Sequence, residues 1–389
     1  MPRATRYQHA RMEIAYDAPR AVQAVPGQPR GFEDVCFSPD NRRLALAGCY
    51  QNSISIADIN IATDGGRPHV TLTNVVEYLS PCLKEPHGVA FLDDDTIVVA
   101  NRLGDVDVLR VPADAAAHQP VELPPIDLGP GPGFELLNAP GSIAVAGGAH
   151  GDVEMLVANN SGNTVTAHTL DSDPIAVTST NVRLRRGMDY PDGLAVSADG
   201  EWIAVSNHRA HTVMLYQRSS SLHEDSVPGC ILRGVSYPHG LCFSPDGRHL
   251  FVASSGGPFV HVFARDGQMW RDVRYPAVSV RVMHEDVFRQ HPRFDQGDGG
   301  SKGIDLDRDG HVLAVTSAYQ PLAFFEVAAI LDLSTGQCDD ARHVSYELDV
   351  VEEHTRKVKA RIEALERSRS FRVTKPLRSL NAAWSRIRR

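Results

Sequence analysis

The chain lacks any apolar run long enough to span a bilayer. Its most apolar stretch, Leu322–Leu331, is short and contains Glu326. No apolar stretch follows the basic start, so no secretory leader is expected. The 6 cysteines show none of the paired spacings of a metal knuckle. Cys36 and Cys242 instead recur where other copies of a repeated phrase carry Ala90, Ala144 and Ala195, so they read as small core residues. A reduced, cytoplasmic setting is the economical expectation. Positive charge is scarce over most of the length and concentrated at one end. The net charge is -9, yet residues 354–389 carry 12 Lys and Arg against Glu363 and Glu366, leaving the rest strongly acidic. An acidic body argues against a nucleic-acid surface. What the chain does have is 42% hydrophobic residues, ample for a core in one large repeat domain.

The dominant positive feature is a recurring phrase. Tyr190-Pro191-Asp192-Gly193-Leu194-Ala195-Val196-Ser197-Ala198-Asp199-Gly200 returns as Tyr237-Pro238-His239-Gly240-Leu241-Cys242-Phe243-Ser244-Pro245-Asp246-Gly247, and earlier as Glu85-Pro86-His87-Gly88-Val89-Ala90-Phe91. Six copies are anchored at Asp34, Gly88, Ser142, Gly193, Gly240 and Gly303, spaced 54, 54, 51, 47 and 63 residues apart. That period suits a four-stranded propeller blade. Within each copy the apolar residues alternate with period two, the mark of strands. Gly240–Phe243 reads as a first strand, Leu250–Ala253 as a second and Phe259–Phe263 as a third. Ser244-Pro245-Asp246-Gly247 reads as the hairpin turn between the first two. The expected fold is therefore an all-β six-bladed β-propeller with a C-terminal helical tail. A seventh blade near Val278–Val282 is the alternative. The expected divisions are 1–30, including a ring-closing strand at Met12–Tyr16, then 31–350 for the propeller and 351–389 for the tail. Val344–Leu348 is a possible partner strand.

In a propeller, residues that enter the first strand and leave the second meet on one face of the central channel. The slot before each anchor holds Glu33, His87, Gly141, Asp192, His239 and Lys302. Blades three apart face each other, which sets Glu33 across from Asp192 and His87 across from His239. The second-strand ends add Asn101, Arg102, Asn159, Asn160, Asn207, His208, Ser254 and Tyr319. Imidazoles, carboxylates and an ammonium in one place could bind a small polar ligand. They could equally hold a divalent metal or move protons. The bland reading is that Pro-x-Gly only opens each blade and leaves its middle residue exposed and free to vary.

With these residues the chain resembles, over about residues 31–330, the propellers built from Pro-x-Gly and Ser-Pro-Asp-Gly repeats. These include YVTN and NHL repeat proteins and the SMP-30-like lactonases. The resemblance implies the fold and leaves the activity open. Some lyases of this group use channel histidines and a metal. That implies an enzyme alternative in which His87, His239 and Asp192 are catalytic and metal-binding, with Glu33 as a further carboxylate. The chain has no third histidine in the equivalent slot, because copies four and six carry Asp192 and Lys302 there. The other reading is a non-catalytic binding or scaffolding propeller for a small polar or carbohydrate-like ligand. Arg367-Ser368-Arg369-Ser370-Phe371-Arg372-Val373-Thr374-Lys375-Pro376-Leu377-Arg378 is similar to a short ending of bacterial surface-polysaccharide glycosyltransferases and methyltransferases. That similarity implies the same biosynthetic setting.

Other motifs are set aside. Gly299-Gly300-Ser301-Lys302-Gly303 matches a nucleophile elbow, but the residues after it read as strand rather than helix. Asp305-Leu306-Asp307-Arg308-Asp309-Gly310 starts like a calcium loop and ends on Thr316 rather than Glu at its twelfth position. Gly129–Gly133 reads as a linker, because its prolines remove phosphate-binding amides. The acidic loop around Asp295 and Asp298 reads as a solvated insertion. In the tail, Val351, Val358, Ile362 and Leu365 fall near one helical face, and Leu377, Leu380, Trp384 and Ile387 near another. Such basic amphipathic helices suit an anionic inner-membrane surface, the acidic propeller or a partner enzyme.

Overall fold

The computed structural model describes residues 12–19, 22, 31–113, 120–128, 134–147, 152–219, 221–265, 267, 269–271, 273–291, 297–320 and 322–333. Val344–Leu348, Gly129–Gly133, Asp295 and the tail at 351–389 lie outside these residues.

Six sheets follow one another along the chain. Blade 1 is built from Phe32–Phe37, Arg43–Gly48, Ser53–Asp64 and Arg67–Leu79. Blade 2 has three strands, Pro86–Phe91, Thr96–Asn101 and Val106–Arg110. Blade 3 comprises Pro140–Gly147, Val153–Asn159, Thr164–Ser172 and Ile175–Leu184. Blade 4 comprises Pro191–Val196, Trp202–Asn207, Thr212–Gln217 and Cys230–Leu232. Blade 5 comprises Pro238–Phe243, His249–Ser254, Phe259–Ala264 and Val278–Arg281. Blade 6 has Ser301–Leu306, Val312–Ser317 and Ala323–Glu326. The segment considered for a seventh blade is thus the outer strand of blade 5. The long gap after it holds a short helix, Glu285–Gln290. Among the described residues no helix is long and apolar enough to cross a membrane.

The ring closes through the N-terminal segment. Glu13–Ile14 pairs antiparallel with Ala323–Glu326 as the outer strand of blade 6, placing Ile14 opposite Phe324. Tyr16–Asp17 then pairs parallel with the outer strand of blade 1 at Val70 and Thr71. Five residues, 13–17, therefore bridge the first and last blades, and closure of this kind leaves only short, protected edges. Between blades the core is a set of apolar clusters. One joins Trp202, Leu215 and Leu232 of blade 4 to Leu241, Leu250 and Phe263 of blade 5. Another joins Phe32, Leu44 and Leu46 of blade 1 to Val312, Ala314 and Phe324 of blade 6.

The repeated turn is stabilised by its own side chains. Ser244 Oγ donates to Asp246 at 2.5 Å, and Gly247 N–H donates to the Ser244 carbonyl at 2.8 Å. Asn41, Gly200, Gly247 and Gly310 occupy the same turn slot with φ of 65°, 71°, 65° and 72°, a region open to Gly and tolerated by Asn. A second recurring contact links blades. The left-handed Asn52 and Asn163 accept, through their amide oxygens, the backbone N–H of Glu85 and Tyr190 at the entry to the next blade. His211 Nδ1 does the same for Tyr237 at 3.1 Å.

Deleting residues 1–17 removes the strand that completes blade 6 and the bridge to blade 1. Thermal unfolding of the truncated protein is expected to fall by about 5 °C or more. An unchanged midpoint would show that the ring closes without this segment.

Candidate active site at the channel floor

In every blade the ladder between the first and second strands slips at the ring residue. The register shifts between Phe32 and Asp34, Pro86 and Gly88, Pro140 and Ser142, and Pro191 and Gly193. The slip is wider in the last two blades, from Pro238 to Leu241 and from Ser301 to Ile304. Such a β-bulge leaves one residue unpaired and re-aims its side chain. In five of the six blades the residue before the bulge is also held left-handed, with φ of 63° at Gly31, 54° at Glu85, 52° at Ala139, 60° at Tyr190 and 47° at Tyr237. At Glu85, Ala139, Tyr190 and Tyr237 the next residue is proline, where left-handed backbone is sterically disfavoured, so these strand entries store strain to reach this geometry. The ring residues are therefore not exposed turn positions. Glu33, His87, Asp192, His239 and Lys302 are 5%, 1%, 3%, 3% and 4% exposed.

These side chains converge across the axis. The His87 and His239 rings lie 5.1 Å apart between their centroids. Glu33 Oε2 is 3.4 Å from His87 Nε2, 3.4 Å from His239 Nε2 and 3.1 Å from Lys302 Nζ. Opposite it, Asp192 Oδ2 is 3.4 Å from His239 Nε2 and 3.4 Å from His208 Nδ1. His239 thus sits between two carboxylates. Lys302 also contacts Asp298. Arg102 reaches His87 Nε2 and lies 3.9 Å from Asp192 Oδ1. The His87 Nδ1–H donates to the Gly141 carbonyl at 2.6 Å, which leaves Nε2 as the acceptor for Arg102.

Burial and charge oppose each other here. Burial pushes the Glu33 carboxyl up, but the Lys302 ammonium and the two imidazoles beside it hold it well below the usual carboxylate range. Burial acts likewise on Asp192, and His239, His87, His208 and Arg102 together overcome it. Burial and the adjacent Arg102 keep His87 low, and burial brings His208 down to about 4. The floor at neutral pH therefore holds ionised Glu33 and Asp192 beside fixed cations and the neutral imidazoles of His87 and His208. Charges this deep cost several kcal/mol each to desolvate, on the order of what their pairing returns. Glu33 Oε2 and His239 Nε2 have these ionic neighbours but no aligned hydrogen bond.

The second-strand residues divide into two groups. Asn101, Asn159 and Asn207 are fully buried and satisfied within their own blades. Their amide oxygens accept the N–H of Lys84, Asn138 and Asp189 at 3.0, 2.9 and 2.6 Å. Their amide nitrogens donate to Asp107, Thr166 and the Gly187 carbonyl. They shape strand entries and are not part of the charged cluster. The residue that follows each one, Arg102, Asn160 or His208, does reach it. Asn160 Nδ2 donates to Asp192 Oδ1 and to the Pro191 carbonyl, both at 2.7 Å. A Cβ on Gly141 would lie 2.4 Å from Asn160 Oδ1, so the third blade's ring slot is glycine because this amide fills it. Nothing in the repeat phrase alone signals that substitution. Tyr319 lies farther out, 37% exposed and edge-on to His291 at 5.0 Å. Ser301 is a strand residue whose hydroxyl donates to the Phe259 carbonyl at 2.7 Å, and it makes no elbow.

Among the described residues, two sets place ligand atoms within 4.8 Å of one another, Glu33–His87–His239 and Asp307–Asp309–His311. In the second set, Asp307 caps its own turn, accepting the N–H of His311 and Val312 at 2.6 Å. The first set draws its carboxylate from Glu33, while Asp192 stands beside it. Orphaned buried donor atoms of this chemistry fit a metal better than they fit empty space.

The fold and these residues define a β-propeller with a buried ionisable centre. No family model matches the chain, and no curated protein matches it. A solved structure from Bacteroides uniformis ATCC 8492, provisionally assigned as a 6-phosphogluconolactonase, is similar at a TM-score of 0.44 and 14% identity. The alignment covers 73% of this chain and 77% of that one. A likeness this distant carries no argument about activity.

Below the floor, Asp34 takes the anchor slot and accepts Val89 N–H at 3.0 Å, and burial pushes its carboxyl up to about 7. Folding thus favours the neutral acid. The stability this contributes is complete below about pH 4, the unfolded value, and is lost as pH rises through about 7. Asp34→Asn, which cannot ionise, is expected to gain at least ~1 kcal/mol over wild type at pH 8 and little at pH 4. Denaturant unfolding at both pH values checks this, and a pH-independent difference would contradict it.

Proposed function

We propose that the channel floor binds a small polar, carbohydrate-like ligand. The observation that carries this reading is the buried cluster itself. Glu33, Asp192, Arg102 and Lys302 are brought together at a desolvation cost that apolar packing would avoid, and Glu33 Oε2 and His239 Nε2 are left without aligned partners. Few, convergent polar groups beside aromatic surface are the usual lining of a small-molecule site. Tyr50 is 51% exposed and Tyr319 37%, and Tyr50 feels the charges of Glu33, Lys302 and Asp298. Phenol rings at that height suit the apolar face of a sugar, while the floor suits its hydroxyls. A role in bacterial surface-polysaccharide biosynthesis, with residues 351–389 reaching an anionic membrane or a partner enzyme, rests on the ending Arg367–Arg378. Titration calorimetry of full-length protein against neutral sugars, sugar acids and sugar lactones tests the ligand reading. Binding by one class, weakened about tenfold or more by Glu33→Gln or Tyr50→Ala, is expected. Silence across the panel, or binding indifferent to both changes, would remove the proposal. Deleting residues 351–389 is expected to reduce co-sedimentation with anionic vesicles, and equal sedimentation would retire the membrane role.

A second reading is catalytic. His239 Nε2 stands 3.4 Å from both the Glu33 and the Asp192 carboxylates, an arrangement suited to taking and returning a proton. In a lactonase or lyase, His239 would move the proton. Asp192 would orient it, and Lys302 and Arg102 would stabilise developing negative charge. A divalent metal held by Glu33, His87 and His239 would instead supply Lewis acidity, and with His239 Nε2 bound to it the proton would pass to Asp192. Turnover of lactones by wild type that falls about 100-fold or more in His239→Gln favours this reading. Sugar binding with no turnover in the presence of divalent metals favours the first.

A further inference from the structure

We propose that Glu33 Oε2, His87 Nε2 and His239 Nε2 form a site for one divalent ion of the zinc type, and that Arg102 is the displaceable cation holding that site when the ion is out. The inference deepens the proposed ligand site, with which it shares Glu33 and His239, and zinc binding is read without any sugar, so the two readings fail separately.

The donor set comes first. Two imidazoles and one carboxylate, drawn from blades 1, 2 and 5, present ligand atoms within 4.8 Å of one another. Nitrogen and oxygen donors in this ratio suit zinc and its first-row neighbours rather than calcium or magnesium. Glu33 Oε2 lies 3.4 Å from each imidazole Nε2. Donor atoms sharing a four-coordinate ion at bond lengths of about 2.0–2.1 Å stand about 3.4 Å apart, so the carboxylate needs little movement.

The outer contacts have the form that metal-binding residues use. A ligating histidine donates its other ring N–H to a carbonyl or carboxylate, which fixes the tautomer and aims the lone pair. His87 does this, its Nδ1–H donating to the Gly141 carbonyl at 2.6 Å. Glu33 Oε2 and His239 Nε2, both buried, point at the same volume without aligned hydrogen bonds. Asp192 Oδ2, 3.4 Å from His239 Nε2, adds negative charge beside that volume, and Asn160 holds the carboxylate in place.

Two protein cations already neighbour these donors, and they differ in where else they can go. Lys302 contacts Asp298 as well as Glu33, so its charge has a second anchor. Arg102 donates to His87 Nε2, the atom an ion would take. Its NH2 group is also 3.9 Å from Asp192 Oδ1, and the side chain is 26% exposed, so a small swing moves it from imidazole to carboxylate. A dication and a guanidinium cannot share one lone pair. The affinity for metal is therefore set by the competition between them.

Zinc titration of chelator-stripped full-length protein, followed by calorimetry and elemental analysis after dialysis, tests the proposal without any substrate. One zinc per chain is expected in wild type. Glu33→Gln should weaken binding about tenfold or more, and Arg102→Leu should tighten it about tenfold. Asp309→Asn, in the other acidic cluster, should change nothing. Because Glu33 and Arg102 are largely buried, unfolding midpoints are measured alongside. Cobalt absorption of wild type gives a readout that needs no variant, and an intense visible band of four-coordinate cobalt is expected. A weak six-coordinate spectrum, no retained zinc, zinc lost in Asp309→Asn instead of Glu33→Gln, or unchanged affinity in Arg102→Leu would each overturn the assignment.

Discussion

Everything at the centre of this protein depends on how closely the inner strands approach one another. A Cβ on Gly193 would stand 2.0 Å from the His239 carbonyl oxygen, one on Gly240 2.7 Å from the Lys302 carbonyl oxygen, and one on Gly303 2.4 Å from the Asp34 Cα. Gly88 meets Ser142 of the next blade at 2.7 Å in the same way. Four of the six anchors are glycine because neighbouring backbone occupies the space of a side chain. That approach narrows the channel directly beneath the ring residues. The bulge then turns each ring side chain toward the axis, where it meets residues from opposite blades. A wider ring would have left Glu33, His87 and His239 as separate solvated groups.

Close approach also explains the balance of charge. Carboxylates brought this near cannot remain ionised in a dry site unless cations accompany them. Lys302 serves Glu33 and Arg102 serves Asp192, each from a different blade, while Arg102 also meets His87 of its own blade. Asn160 completes the set by filling the slot that Gly141 leaves vacant and bonding Asp192. The inter-blade contacts of Asn52, Asn163 and His211 act one layer out, holding each strand entry in its left-handed conformation. Site and scaffold are thus joined through the same few residues of every repeat.

Much of the architecture could be read from the chain because a repeat states its period openly. The copies anchored at Gly88, Gly193 and Gly240 predict first strands, turns and third strands that match those observed within a residue or two. The ring slot was readable for the same reason, and the facing of His87 and His239 follows from counting blades. The outer strands were harder, because little packs against them and their sequences carry a weak pattern. The three asparagines at the second-strand ends look like channel residues by position. Their amides are spent on backbone N–H groups of the preceding loops, and the next residue along turns inward instead.

The amino-acid sequence by itself determined the all-β class, the repeat of blades, the turn chemistry of Ser-Pro-Asp-Gly and the identities of the residues in the variable slot. These are local matters, settled by alternation, backbone preference and periodicity. Only the tertiary structure decided that Glu33 joins both histidines, that Asn160 stands in for a missing side chain at Gly141, and that Arg102 reaches His87. Asn160 and Arg102 meet partners within their own blades, whereas the Glu33 contacts join residues from different blades across an axis no segment contains. Their distances follow from ring closure and the narrowness of the channel, which exist only once all the blades are in place.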